Sequence, residues 1–163
     1  MPDGCGEWVI IGRLALAALL GLLIGIERTY RAKTAGMRTH FLVALGSARF
    51  MIVSRYGFGG VGDPGRVAAQ IVSGIGFLGA GTIIMQKTVI HGLTTAAGMW
   101  VAAGIGMASA AGLYMIAVVT TLLALVGLEM LGRFNRFLRA HSDEPDGAPG
   151  VDVLGVKHNE EKE

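Results

Sequence analysis

The sequence predicts an all-α membrane protein, a polytopic bundle of about five transmembrane helices with the N-terminus outside and the C-terminus cytoplasmic. Hydrophobic residues make up 52% of its 163 residues and charged residues only 16%, against roughly 25% charged residues in an average soluble domain. Glycine accounts for 26 residues, more than twice its usual share of about 7%, without a collagen-like period. This composition is typical of membrane helices that pack through small residues, and it argues against a soluble enzyme.

Five apolar segments supply the predicted helices. A helix needs roughly 20 mostly apolar residues to cross a hydrocarbon core about 30 Å thick. The segments lie at about residues 8–26, 37–56, 67–86, 93–111 and 113–131, within a transmembrane domain predicted over residues 8–132. The fifth segment is the most apolar, and the third is rich in glycine. The short junction between the fourth and fifth predicts a tight antiparallel hairpin, with one re-entrant unit as the alternative.

Basic residues in the loops determine the predicted orientation. Those on one side are Arg28, Arg31, Lys33, Arg38, Lys87, Arg133, Arg136 and Arg139. The other side has Arg55 and Arg66. Because cytoplasmic loops carry the excess of lysine and arginine, the first side is predicted to be cytoplasmic. Residues 1–7 then form a short extracytoplasmic segment.

The chain changes character after the fifth segment. Residues 133–140 mix arginines with Phe134 and Phe137, which predicts an amphipathic helix in the lipid headgroup region. A helix end anchored by snorkelling arginines is the equally weighted alternative. Residues 141–163 are acidic and contain proline and glycine, so they are predicted to form a disordered polar tail.

The residue pattern does not support metal, cofactor or nucleic-acid binding. Glu27, Asp63 and Glu129 are isolated carboxylates, whereas magnesium and calcium sites need several oxygen ligands. His40 and His91 are too far apart in sequence for a local zinc motif. No phosphate-binding or nucleophile motif is present in a suitable context, and no basic stripe is interleaved with aromatics. We therefore expect no enzyme activity, no cofactor, no metal and no nucleic-acid partner.

Arg49 is the most unusual residue of the predicted spans. It lies seven residues before Tyr56, roughly 10 Å deep at 1.5 Å per residue. A central arginine costs roughly 2.5 to 3.5 kcal/mol on insertion scales, so a partner is expected. Gln70 and Asp63 are the predicted partners, and both a functional and a merely tolerated Arg49 remain open. Arg13 is expected to snorkel past Trp8, and Glu27 to meet Arg28, Arg31 or Arg38.

Glycines crowd the third segment as Gly74, Gly76, Gly79 and Gly81. The first three form a literal GxGxxG, but a nucleotide site would need a preceding strand in a soluble unit. Inside a span, the glycines indicate close approach of another helix, and the GxxxG at residues 21–25 offers a matching face. The alternative is an unwound stretch near mid-membrane, as transporters use for substrate sites.

Four segments carry a resemblance to a known family. They read LLGLLIGIERTYR, AGMRTHFLVALGSA, DPGRVAAQIVSGIGFLGAGTII and HGLTTAAGMWVAAGIGMA. In this order and spacing they resemble the membrane domain of the MgtC/SapB family, over about residues 13–131. The resemblance implies a multi-pass protein of the bacterial inner membrane, tied to growth at low magnesium and to survival of pathogens inside macrophages.

The same resemblance implies a function. Such a protein is a non-enzymatic modulator of partner membrane proteins, the F-type ATP synthase among them, in adaptation to low magnesium or acid stress. Its expected partners are the lipid bilayer, other inner-membrane proteins and a second copy of itself. The alternative is a small ion or solute transporter or channel with a glycine-broken third helix.

The candidate functional or helix-contact residues combine the family motifs with Arg49. They are Glu27, Arg28, Arg38, Arg49, Asp63, Arg66, Gln70, Ser73, Gly74, Gly76, Gly79, Gly81, Thr94, Thr95 and Trp100. The chain departs from the family pattern at Arg49, where a small or apolar residue is usual, and at His91, where an arginine is common. Longer members also have a soluble C-terminal domain, so the chain resembles the short, SapB-like form.

Overall fold

Five helices and one short hairpin make up the computed structural model, which describes residues 6–58, 63–86 and 89–141. The elements are α1 (Glu7–Tyr30), α2 (Met37–Tyr56), α3 (Pro64–Ala80), β1 (Ile84–Gln86), β2 (Val89–His91), α4 (Leu93–Ala111) and α5 (Tyr114–His141). The all-α membrane fold is confirmed. The predicted tail beyond residue 141 and most of the predicted N-terminal segment lie outside the described residues.

The central helix is α4, which contacts each of the other four helices. Its sequence is largely alanine and glycine, and small side chains allow neighbouring helices to approach closely. The closest approach is at Gly106, where an added Cβ would lie 2.2 Å from the Ala44 carbonyl oxygen of α2. Ala102 and Ala103 of α4 pack with Val43 of α2 in the core. Small residues therefore bring the backbones of α2 and α4 into direct contact at the centre of the bundle.

Gly21 and Gly25 of α1 pack against α2. A Cβ at Gly21 would lie 2.6 Å from Cβ of Ala44, and one at Gly25 would lie 2.6 Å from Cα of Met37. The prediction that this GxxxG would match the glycines of α3 is wrong. Because α1 and α2 are consecutive and joined by a short turn, the small face of α1 is already used by its neighbour in sequence.

Helix α3 begins and ends at clear local signals. Asp63 is its N-cap, with Oδ1 accepting a hydrogen bond of 2.8 Å from the Gly65 amide, and Pro64 is the first helical residue. The helix runs unbroken through Gly74 and Gly76 to Ala80. The alternative of a mid-membrane break is therefore wrong, and the helix stops short of the predicted end at residue 86. Its 17 residues span about 25 Å at 1.5 Å each.

A two-stranded hairpin occupies the chain that was predicted to finish the third span. Ile84 pairs with His91 and Met85 with Ile90 in an antiparallel register. Gly92 closes the hairpin against the end of α3 with φ of 97°, and a Cβ there would lie 1.9 Å from the Thr82 carbonyl oxygen. Both the positive φ and the contact require glycine at this position.

Three helical segments of the described chain are long and apolar enough to cross a membrane. They are Glu7–Tyr30, Leu93–Ala111 and Tyr114–Gly132. Helix α2 carries three arginines and α3 is short, so neither meets the same criterion. The five-helix bundle is thus established, while five full spans and the orientation stay predictions.

Helices α4 and α5 are separate elements joined at Gly112 and Leu113. Gly112 adopts φ of 82°, and its amide donates to the Ser109 carbonyl, the left-handed ending that glycine favours. The backbone of α5 then continues without interruption to His141. The segment at residues 133–140 is therefore a continuation of α5, although the side chains of Arg133 and residues 135–141 lie outside the described set.

Candidate functional site

A buried arginine marks one end of the bundle, where α1 ends and α4 begins. Arg28 is only 2% exposed. Its Nη2 donates a hydrogen bond of 3.3 Å to Oγ1 of Thr95, and its Nη1 lies 3.7 Å from Oε2 of Glu27. Its Nε has no hydrogen-bond partner among the described residues. A guanidinium has five N–H donors, so Arg28 is buried with much of its donor capacity unused.

Arg31 lies beside Arg28 but has two close carboxylate partners. Its Nε lies 2.7 Å from Oε1 of Glu27, one turn earlier in α1, and its Nη2 binds Glu129 of α5. The hydrogen bond that Arg31 donates to the Glu129 carboxylate is the main cause that holds the pKa of Arg31 above its usual value. Arg31 therefore stays charged and links α1 to α5. The expected pairing of Glu27 is confirmed for Arg28 and Arg31, while Arg38 is not among its partners.

A cleft of about 1130 Å³ opens beside this cluster, between α1, α4 and α5. Its basic residues are Arg28, Arg31 and Lys33, and Thr94 and Glu129 add polar groups. Its apolar wall includes Ile24, Val101, Ala124, Leu128 and Leu131, with Gly98 and Gly127 between them. We call it the basic cleft. Thr94 thus lines a cleft of α1, α4 and α5, whereas its neighbour Thr95 is buried against Arg28.

A second depression of about 640 Å³ lies between α2 and α3. Apolar side chains such as Leu42, Phe50 and Ile71 form most of its lining, with Gly46 on one wall and Gly74 on the other. Arg38, Thr39, Ser47 and Gln70 are its polar residues. A Cβ added at Gly46 or Gly74 would have no heavy atom of the described chain within 4 Å. We call this depression the α2–α3 groove.

The remaining glycines of α3 differ in their surroundings. A Cβ at Gly76 would also meet nothing within 4 Å, and the adjacent Phe77 is 83% exposed. A Cβ at Gly79 would lie 3.4 Å from Cβ of Ala96 on α4. Gly81 faces only carbonyls of its own helix end. Of the four glycines predicted to contact another helix, only Gly79 does so within the described chain.

Arg49 lacks the partner that was predicted for it. It is exposed on α2 and makes no hydrogen bond or ion pair with any residue in the described ranges. Asp63 instead caps α3 and lies 3.9 Å from Nε of Arg66. Gln70 lines the α2–α3 groove without binding Arg49. The exposed candidates Ser73 and Trp100 lie on the outer surfaces of α3 and α4.

Sequence reasoning missed the role of Arg13. At the other end of the bundle, its Nε donates to the Tyr114 hydroxyl at 3.1 Å, and its Nη1 donates to the Tyr56 hydroxyl at 3.1 Å and the Ala110 carbonyl at 2.9 Å. It is a clamp between helices rather than a snorkelling residue beside Trp8. No local pattern could reveal this, because the partners are 43 to 101 residues away.

Buried His40 was also missed. It is fully buried in the first turn of α2, and its Nδ1 lies 3.0 Å from the Gly36 carbonyl oxygen. Its Nε2 has no partner in the described chain and points toward Gly98, where an added Cβ would lie 3.2 Å away. His91, by contrast, is exposed on β2. No cluster of three or more potential metal ligands occurs among the described residues.

Comparison with known proteins identifies relatives of this chain. The family model described as MgtC family matches residues 14–137. The protein named "Putative magnesium transporter YhiD" of Escherichia coli K12 is 49% identical over 131 residues, which cover 76% of this chain and 60% of that protein. Proteins named MgtC from Brucella abortus and Salmonella typhimurium are 50% identical over 108 residues and 48% identical over 112 residues.

Coverage of these two MgtC proteins is partial. The aligned regions are 66% and 69% of this chain but 45% and 48% of the relatives. The chain therefore spans about half the length of the curated relatives it matches. No solved structure matches it.

Proposed function

The chain belongs to the MgtC family, and we propose that it modulates a partner protein of the bacterial inner membrane by binding one of that protein's transmembrane helices in the α2–α3 groove. The groove is the observation that supports this function. It is apolar over most of its length, and its two glycines leave space beside the backbones of α2 and α3. In a bilayer, such small-residue surfaces are where helices approach closely.

The open glycines strengthen the argument because they are costly for α3 itself. Glycine inside a helix is less favourable than alanine by roughly 0.8 to 1.0 kcal/mol. At Gly21, Gly25 and Gly106 that cost is offset by close contact with another helix of the chain. At Gly74 no residue of the described chain uses the space. A foreign helix with small residues and an acceptor for Arg38, Thr39 or Gln70 would fit the groove.

The test is recovery of partners from magnesium-starved membranes with wild-type protein and two leucine variants. Gly74→Leu fills the groove, while Gly12→Leu adds the same side chain at an exposed position of α1 that also has nothing within 4 Å. We expect Gly74→Leu to lose the partner and Gly12→Leu to retain it. Equal recovery by all three proteins would refute a groove-bound helix.

The identity of the partner needs its own measurement. The family resemblance points to the F-type ATP synthase, so ATP hydrolysis and proton pumping are to be measured in inverted vesicles with each variant. We expect wild-type protein and Gly12→Leu to lower both activities and Gly74→Leu to leave them unchanged. Unchanged ATP synthase with wild-type protein would remove this partner but not the groove.

Transport of magnesium is the second candidate function. The name of the Escherichia coli relative suggests it, and the basic cleft enters the bundle between three helices. The glycine-broken third helix that this alternative requires does not occur, however, and Gln70 and Ser73 are exposed. Magnesium flux into liposomes that contain the purified protein tests this function. Flux no faster than in empty liposomes would exclude it.

A further inference from the structure

The basic cleft has the features of a site for an amphiphilic anion. Its basic residues lie where α1 ends. Its apolar wall includes Ile24, Val101 and Leu128, which lie farther from that end of the bundle. Tyr30, which also lines the cleft, is 90% exposed, and tyrosine at a helix end is typical of the membrane interface. The polar end of the cleft is therefore at headgroup level and its apolar end at acyl-chain level.

The charges of the cleft favour a negative ligand. Arg28, Arg31 and Lys33 contribute three positive charges, and Glu27 and Glu129 contribute two negative ones. Arg31 contacts both carboxylates. Lys33 makes no ion pair with any residue described by the structure. Because Arg31 is the partner of both carboxylates, the excess positive charge of the cleft lies at Arg28 and Lys33.

The state of Arg28 is an independent observation that points to a ligand. It is a lining residue that is only 2% exposed, and its Nε has no partner in the described chain. Its contact with Thr95 is long, and its separation from Glu27 exceeds hydrogen-bond distance. A buried guanidinium is normally paired and hydrogen-bonded, because an unsatisfied charge in a low-dielectric site is costly. Anionic oxygens in the cleft would supply the missing acceptors.

We propose that the basic cleft binds an anionic phospholipid, with its phosphate between Arg28 and Lys33 and an acyl chain along Ile24, Val101 and Leu128. A phospholipid headgroup and free phosphate would both present a phosphate anion to these residues. The apolar wall of the cleft favours the lipid. Basic pockets between membrane helices on the cytoplasmic side bind lipid headgroups in this way. The site is separate from the α2–α3 groove and does not depend on the function proposed there.

Native mass spectrometry of the purified protein, titrated with phosphatidylglycerol or phosphatidylcholine, tests the proposal. We expect clear preference for phosphatidylglycerol. Arg28→Gln and Lys33→Gln should each weaken its binding roughly fivefold, the effect of about 1 kcal/mol per basic residue near an anionic surface. Arg55→Gln removes the same charge from an exposed position at the other end of the bundle and should leave binding unchanged.

Gly127→Leu provides a test that leaves every charge in place. Gly127 lines the cleft, and a Cβ there has nothing within 4 Å, so leucine should fill the cleft without disturbing the fold. We expect it to weaken phosphatidylglycerol binding at least as much as Lys33→Gln, with Gly12→Leu as the control. Equal weakening by Arg55→Gln and Lys33→Gln, or equal binding of both lipids, would overturn the proposal. Displacement of the lipid by millimolar inorganic phosphate would overturn the lipid as ligand.

Discussion

Glycine serves opposite purposes in two regions of this bundle. In the packed trio formed by α1, α2 and α4, Gly21, Gly25 and Gly106 bring helix backbones into direct contact. In α3, Gly74 and Gly76 have nothing within 4 Å in the described chain. The same residue type therefore marks a filled interface at Gly21, Gly25 and Gly106 and an open surface at Gly74 and Gly76. A glycine motif in a membrane helix predicts a close contact but does not identify the partner.

The largest effect is expected at the centre of the trio. In Gly106→Ala the new Cβ would lie 2.2 Å from the Ala44 carbonyl oxygen, so the backbones of α2 and α4 must separate. Overpacking of a tight core costs typically 1 to 3 kcal/mol and occasionally more, and we expect about 3 kcal/mol here. The measurement is thermal unfolding of the purified protein in detergent. A stability equal to wild type would show that α2 and α4 are not in contact.

A smaller loss is expected for Gly21→Ala. Its Cβ would lie 2.6 Å from Cβ of Ala44 and 2.7 Å from the His40 carbonyl oxygen. The clash is milder than at Gly106, and alanine recovers up to about 1 kcal/mol of helix propensity, so a net loss of about 1 to 2 kcal/mol is expected. Gly12→Ala is the matched control on the same helix. If both variants had the same unfolding temperature, the α1–α2 interface would be looser than described.

Tyr56→Phe tests the clamp that holds the trio together at the end opposite the basic cleft. It removes the hydroxyl that accepts from Arg13 and leaves the ring in place. Arg13 retains the Tyr114 hydroxyl and the Ala110 carbonyl, so we expect a loss of about 1 kcal/mol, typical of one hydrogen bond. Thermal unfolding measures it. In an Arg13→Met background the same change should have no effect, and an undiminished effect there would assign Tyr56 another role.

The smallest effect, with the opposite sign, is expected in α3. Gly74→Ala introduces no clash and gains helix propensity, so the stability of the isolated protein should stay equal or rise by up to about 1 kcal/mol. The unfolding temperature in detergent measures this change. Clear destabilisation would mean that α3 packs against the chain more closely than the structure shows, and the contrast between the two regions would fail.

The two arginines of α1 show the same limit of sequence reasoning. Arg13 and Arg28 both belong to an apolar helix, and both were expected to sit near an edge of the membrane. Arg13 has three neutral partners from other helices, whereas Arg28 is more deeply buried and less well satisfied. Arg13 links α1 to three other helices, and Arg28 lines the basic cleft. Partners separated by tens of residues leave no local pattern in the sequence.

The sequence by itself determined the properties that depend on residues close together in the chain. Composition and apolar segment length determine the membrane class and the five helices. The Asp63–Pro64 pair is a local signal for the start of α3, although the third segment was predicted to begin at residue 67 and Asp63 to pair with Arg49. Glu27 was expected to meet Arg28, Arg31 or Arg38, and it pairs with Arg31 one turn later. The tertiary structure decided which glycine faces are filled, where α3 ends, and which helices share the basic cleft. These depend on distances between segments that are remote in the chain, and small residues permit several packings of similar local energy.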